Sequence, residues 1–328
     1  HHECCDFPVG GDEMLEGIST FISNIALSFV HFFYAVTHPG EWLGWLTELG
    51  KLESIEAKES LGRFIYYGGS SEFFFVVLTS FLTLTAVGIW RKSVMWAVVR
   101  GLEWFANGLG RIVAWVGLLM VLQQIIIIFL QRIFRVATID FGPFAPFGYK
   151  LWDGYSFLSH DLSWWSEELK LYNAMVVCLC VTYTFVQGGH VRVDLIYARI
   201  GYRAKRAVDM AGALFFMVPT AILTWLFAWY FMWRHLLTPK VSASDTIDRI
   251  LSKAKMLKWN VETIGFSPNG FDAYYLFKIL MLAFCGLVFL HAISFFYRSL
   301  LEWREGPEEG GKYLDLDSAV DTSATGTH

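Results

Sequence analysis

The chain has 328 residues, 55% of them hydrophobic and 17% charged, with 14 Trp, 29 Phe and a net charge of -4. This composition excludes an ordinary soluble domain. The absence of any basic array interleaved with aromatics excludes a nucleic-acid partner.

The apolar residues are gathered in uncharged blocks. Five of them (residues 73–90, 112–130, 171–189, 210–233 and 279–297) approach the ~20 residues that carry a helix across ~30 Å of hydrocarbon. The expected fold is an all-α integral membrane protein, with a four-helix core bundle, one or two additional N-terminal membrane helices, and interfacial helices. The boundaries read as an N-terminal extension over 1–103, a membrane domain over 104–304 and a disordered cytoplasmic tail over 305–328.

At the start, Cys4 and Cys5 adjoin His1, His2 and Glu3. Soft-metal chemistry uses such residues, but adjacent cysteines on a loose terminal segment ligate one ion poorly. No metal is expected there. Residues 17–36 form a sixth uncharged block, made more polar by Thr20, Asn24 and His31. No basic segment precedes it, so it reads as a retained hydrophobic helix rather than a leader.

His38-Pro39-Gly40 stops that helix. In residues 41–70, Trp42, Leu43, Trp45, Leu46, Leu49, Leu52 and Ile55 make one apolar face, which suits a helix lying in the membrane interface. Gly68-Gly69-Ser70-Ser71 breaks the chain before the next block. Arg91, Lys92, Arg100 and Arg111 then face only Glu103, and Arg192, Arg199, Arg203, Lys205 and Arg206 face only Asp194. Both stretches are short, so both are expected in the cytoplasm. The more acidic 131–170 fits the outside.

Ser163 suits a helix cap, and Glu167 and Glu168 suit the positive end of that helix dipole. Pro219-Thr220 should kink its helix. Trp225, Trp229 and Trp233 recur every four residues, as in an aromatic belt at the outer interface. Residues 245–258 read as a helix with an apolar stripe of Ile247, Ile250, Leu251, Ala254 and Leu257. It is either an interfacial helix with snorkelling lysines, the simpler reading, or a docking surface for a soluble partner. His291 sits in the middle of the last block, where a membrane histidine usually bonds to a neighbouring helix. Lys278 opens that block and can snorkel or pair. Cys178, Cys180 and Cys285 read as packing residues. No nucleophile with its base, phosphate loop or paired-His metal site occurs, so no catalytic or cofactor site is expected.

These fragments, taken in order, resemble one family. Leu109-Gly110-Arg111 opens a span that ends Gln131-Arg132-Ile133-Phe134-Arg135. Trp165-Ser166-Glu167-Glu168-Leu169 precedes the next, which runs into Gly189-His190-Val191-Arg192-Val193-Asp194-Leu195. Tyr202-Arg203-Ala204-Lys205-Arg206-Ala207-Val208-Asp209 leads into a further helix, and Lys278 begins the last. Together they are similar to the small membrane subunit of TRAP transporters, the DctQ-type permease protein, over residues 104–304.

The resemblance implies a non-enzymatic subunit of the bacterial inner membrane with both termini cytoplasmic. It would brace a large permease subunit that carries organic acid and sodium, so sodium is expected on the partner rather than on this chain. It would also help dock a periplasmic binding protein. By position, His190, Arg192 and Asp194 would form a cytoplasmic signature turn. Glu167, Glu168 and Lys278 would lie near the membrane surface against the partner or each other. Membrane lipids would cover the rest. The first hundred residues depart from the family pattern. That addition keeps open a second reading, a structural subunit of another membrane complex built on the same bundle.

Overall fold

The computed structural model describes residues 11–48, 54–135, 138–139, 160–188, 199–238, 244, 246–253, 256–257 and 275–315. Six of its helical stretches are long and apolar enough to cross a membrane: Glu16–Thr37, Ser71–Trp90, Lys92–Ile133, Leu162–Val186, Tyr202–Arg234 and Tyr275–Glu305. Among the described residues the extended pairings are two, each of two residues per strand: β1 (Thr138–Ile139) with β2 (His160–Asp161), and β3 (Leu237–Thr238) with β4 (Met256–Leu257). The architecture is that of an all-α integral membrane protein. The chain separates into two compact units, His1–Arg91 with Leu237–Lys258, and Lys92–Leu236 with Trp259–His328.

In the first unit, α1 (Gly11–Thr37) meets α4 (Ser71–Trp90). Neither can satisfy polar groups in hydrocarbon, so the two buried hydroxyls pair, Ser28 donating to Thr79 at 2.7 Å. Between them run α2 (Gly40–Leu43), a 3-10 turn (Gly44–Glu48) and α3 (Ile55–Gly68). Ser54 caps α3 by accepting from Ala57 N–H, and Ser70 caps α4 by accepting from Phe73 N–H. Ala57, Leu61 and Ile65 line the buried face of α3, with Trp42 and Trp45 packed on Phe64.

The sequence assigns one interfacial helix to this region. The structure makes it a folded subdomain, and Leu49 and Leu52 lie outside the described residues. The stripe read over 245–258 appears as α10 (Ile247–Lys253), which packs on α3 with Ile250 fully buried. Ile250 of that stripe is covered by protein. Ala254 lies outside the described residues.

The second unit is built on α5 (Lys92–Ile128, extended by a π turn, Phe129–Ile133), α6 (Leu162–Leu179), α7 (Val181–Val186), α8 (Tyr202–Gly212), α9 (Val218–Leu236) and α11 (Tyr275–Glu305). The last of these is the hub, touching α5, α6, α7, α8 and α9. Its small and hydroxyl side chains Cys285, Ala292, Ser294 and Ser299 are buried and let neighbours approach closely.

Gly110 of α5 is such an approach point. A Cβ there would collide with the ring of Tyr183, so the helices pack only because the position is glycine. A π turn (Ala213–Met217) joins α8 to α9 immediately before Pro219. The extra residue in that turn accommodates the proline, which has no N–H and crowds the preceding turn. Helix α6 begins at Leu162, so Ser163 lies inside the first turn rather than at the cap. The tryptophan series is not a surface belt. Trp229 and Trp233 are 4% and 2% exposed, Trp225 stacks on Trp229 at 5.5 Å, and Trp229 meets Trp233 edge-on at 5.9 Å.

Candidate functional site

Where α5 begins and α11 ends, the second unit holds a buried ladder of charges. Glu103 is carried on α5 with Asn107 and Gly110, four and seven residues on and so on one helical face. Opposite, α11 presents Arg298 and Glu302, also four apart. Arg298 embraces Glu103 with two donors, Nε to Oε1 at 2.6 Å and Nη2 to Oε2. The geometry is the bidentate fork in which guanidinium and carboxylate pair most strongly.

Arg298 also lies 3.5 Å from Glu302. Glu302 in turn pairs with Arg206 of α8 at 2.7 Å, and Arg206 reaches Asp209 at 3.2 Å. Signs alternate along the ladder. Trp96 covers the Arg298 guanidinium at 5.5 Å, a cation–π contact that keeps water off the pair. With Glu103, Arg298 and Glu302 all under 9% exposed, each charge needs its partners to offset desolvation.

Residues 306–315 fold over this ladder, although their composition alone reads as a loose tail. Gly306 turns the chain with φ of 93°. Arg298 donates to the Lys312 carbonyl at 3.1 Å, and Gly311 N–H donates to Glu302 at 3.3 Å. Tyr313 sits in the left-handed region at φ of 61°, a strained backbone for a tyrosine. Its ring is fixed between the edge of Trp96 and the guanidinium of Arg100. Asp315 completes the closure. Its carbonyl accepts from Asn107 at 2.9 Å and from Gln187 at 3.0 Å, and its carboxylate pairs with Arg111 at 3.0 Å.

The anticipated site residues divide into two sets. His190, Arg192 and Asp194 lie outside the described residues. The chain on either side of them does belong to this end: Gln187 bonds to Asn107 and Asp315, and Tyr202 stacks on Arg206. At the other end of the unit, Glu168 accepts from Gln123 at 3.2 Å and from Tyr172 at 3.1 Å. Glu167 is half-buried, and the Lys278 ammonium lies 4.7 Å over the ring of Phe231. Reading the residues misses the Glu103–Arg298–Glu302 ladder. The available signal was the shared face of Glu103 and Asn107 on α5, matched by Arg298 and Glu302 on α11.

His291 packs flat between Phe185 and Phe295, with centroids 4.9 and 6.1 Å away. Among the described residues no group of three or more His, Cys, Asp or Glu is arranged to hold a metal ion.

A bundle of apolar helices closed at one end by paired charges defines a multi-pass membrane protein. Residues 155–247 match the family model described as "Tripartite ATP-independent periplasmic transporters, DctQ component". The segment containing α6, α7, α8 and α9 is therefore similar to the DctQ component of TRAP transporters, a family of transporter components rather than enzymes. No curated protein and no solved structure matches the chain.

Proposed function

We propose that this chain is the small membrane subunit of a sodium-coupled TRAP transporter for organic acids. It braces the large permease subunit and contributes to docking of a periplasmic binding protein. The DctQ match over residues 155–247 is the observation that carries this reading. The ladder supports a bracing role, because it ties α5, α8 and α11 together at one end.

On this reading that end is cytoplasmic. It carries Lys92, Arg100, Arg111, Arg206 and Arg304, in keeping with the positive-inside rule. The protein is then a multi-pass subunit of the bacterial inner membrane with both termini inside. Helix α9 presents Leu223 and Phe227, and the π turn before it Phe215 and Phe216, all more than half exposed. They offer an apolar surface to lipid or to the large subunit. His190, Arg192, Asp194, Glu167, Glu168 and Lys278 are interface residues in this scheme, and sodium is held by the partner.

The test is uptake of a labelled organic acid by cells carrying the neighbouring transporter genes with and without this chain. Loss of uptake on deletion, with sodium dependence in the intact system, supports the proposal. Normal uptake from the large subunit and binding protein alone overturns it. A second reading, a structural subunit of another membrane complex, rests on the N-terminal unit, whose residues 11–91 lie outside the matched segment. Mild-detergent purification distinguishes the two. A large permease in constant ratio supports transport, and respiratory or pigment-binding subunits support the alternative.

A further inference from the structure

A hydroxyl inside a membrane helix normally donates to a carbonyl one turn back. Thr20, Ser80, Thr85, Ser166, Thr184 and Thr224 all do so, at 2.7–2.9 Å from the carbonyl four residues earlier. Thr182 of α7 and Ser294 of α11 do not. Each is 3% exposed, and each hydroxyl oxygen is buried with no hydrogen-bond partner among the described residues. Both line one cavity between α5, α7 and α11, whose other polar lining comes from His291 and Glu103 and whose walls include Leu102, Phe105 and Leu287. Ser299, whose hydroxyl also has no partner among the described residues, does not line it.

Two orphaned hydroxyls on residues of different helices that line one buried space are costly unless something joins them. The centre of a water molecule has about 10 Å³ to move in, so the cavity has room for one water.

We propose that this cavity is a binding site for a single structural water, which bridges Thr182 and Ser294 beside His291 and Glu103. A buried water takes 2–4 polar partners, and this cavity lining supplies that many. The water links α7 to α11 one turn inside the Glu103–Arg298 pair, where no direct side-chain bond between the two hydroxyls exists.

The test uses the full-length chain purified from its membrane, comparing Thr182→Val, Ser294→Ala and the double variant. If a water bridges the two, each single change lowers the melting midpoint by about 2–4 °C. The double change then lowers it by less than the sum, because the bridge is lost only once. Thr182→Ser keeps the hydroxyl and keeps the wild-type midpoint. If the hydroxyls face an empty space, removing either orphan raises the midpoint or leaves it unchanged, and the proposal fails. Strictly additive losses also overturn it. Radiolytic hydroxyl labelling of the unmodified protein gives a second readout independent of variant folding. Bound water generates radicals in place, so His291 is oxidised faster than buried Trp229. Equal protection of the two overturns the site.

Discussion

Where α11 leaves the bundle, the second unit ties its charges together across long stretches of sequence. Glu103, Arg206, Arg298 and Asp315 come from three helices and the tail, and each is answered by an opposite charge. Twenty residues earlier on α11, about 30 Å along the helix at 1.5 Å per residue, the described contacts of charged groups are of a different kind. There Lys278 lies over an aromatic face, and Glu168 accepts from a neutral amide and a phenol. Buried ion pairs fail abruptly when one member is lost, whereas cation–π and neutral contacts fail gradually. The ladder end should therefore behave as a fixed clamp, against which the contacts described at the Lys278 end can be compared.

The sharpest break of that contrast is Glu103→Ala. It leaves the Arg298 guanidinium buried without its bidentate partner, at a cost of about 3–5 kcal/mol, read as a lower midpoint in detergent melting. Replacing Glu103 and Arg298 together by Met should recover most of the loss, since a buried pair often does no better than apolar residues of similar volume. A single variant that melts like wild type would remove the distinction between the ends.

Next in size is Gly110→Val, which forces α5 away from Tyr183 and should cost about 1–3 kcal/mol by overpacking. Gly108→Val serves as its control, because a Cβ there meets nothing within 4 Å. The gap between the two melting curves measures the close approach apart from helix propensity. At the Lys278 end, loss of the contact with the Phe231 ring in Lys278→Met should cost about 0.5–2 kcal/mol, the range for a cation over a ring. A loss matching that of Glu103→Ala would mean both ends are clamps. The smallest effect is expected in the first unit. There Ser28→Ala removes the bond to Thr79, worth about 0.6 kcal/mol on average between membrane helices. Reduced cross-linking between cysteines placed on α1 and α4 would report it.

The spans were legible because hydrocarbon tolerates few charges, so uncharged blocks of the right length stand out whatever their neighbours. The DctQ segment was legible for a related reason: its polar fragments recur at the block edges in a fixed order. The ladder was not. Glu103 and Arg298 lie at block edges, where charges are routinely assigned to loops, and 195 residues separate them. Only the packing of α5 on α11 brings them together.

The tail was illegible for a different reason. Residues 306–315 are held partly through backbone carbonyls and amides, of which composition carries no record, and partly by Tyr313 and Asp315, whose partners on α5 lie about 200 residues earlier. Trp229 and Trp233 show that four-residue spacing gives a face but not what covers it: lipid was expected, and protein is found. Ser163 was misplaced by the short distance over which caps are hard to fix.

The partner of Glu103 is also made long after Glu103 itself, 195 residues further along the chain. As the chain enters the membrane in order of synthesis, α5 arrives with its carboxylate, while Arg298 follows only at the end of α11. Until then the half-built bundle carries an acid at the membrane edge without the guanidinium that later encloses it. A nascent chain cut off before α11 would keep that carboxylate without its guanidinium, so the bundle end closes only when its last described helix arrives.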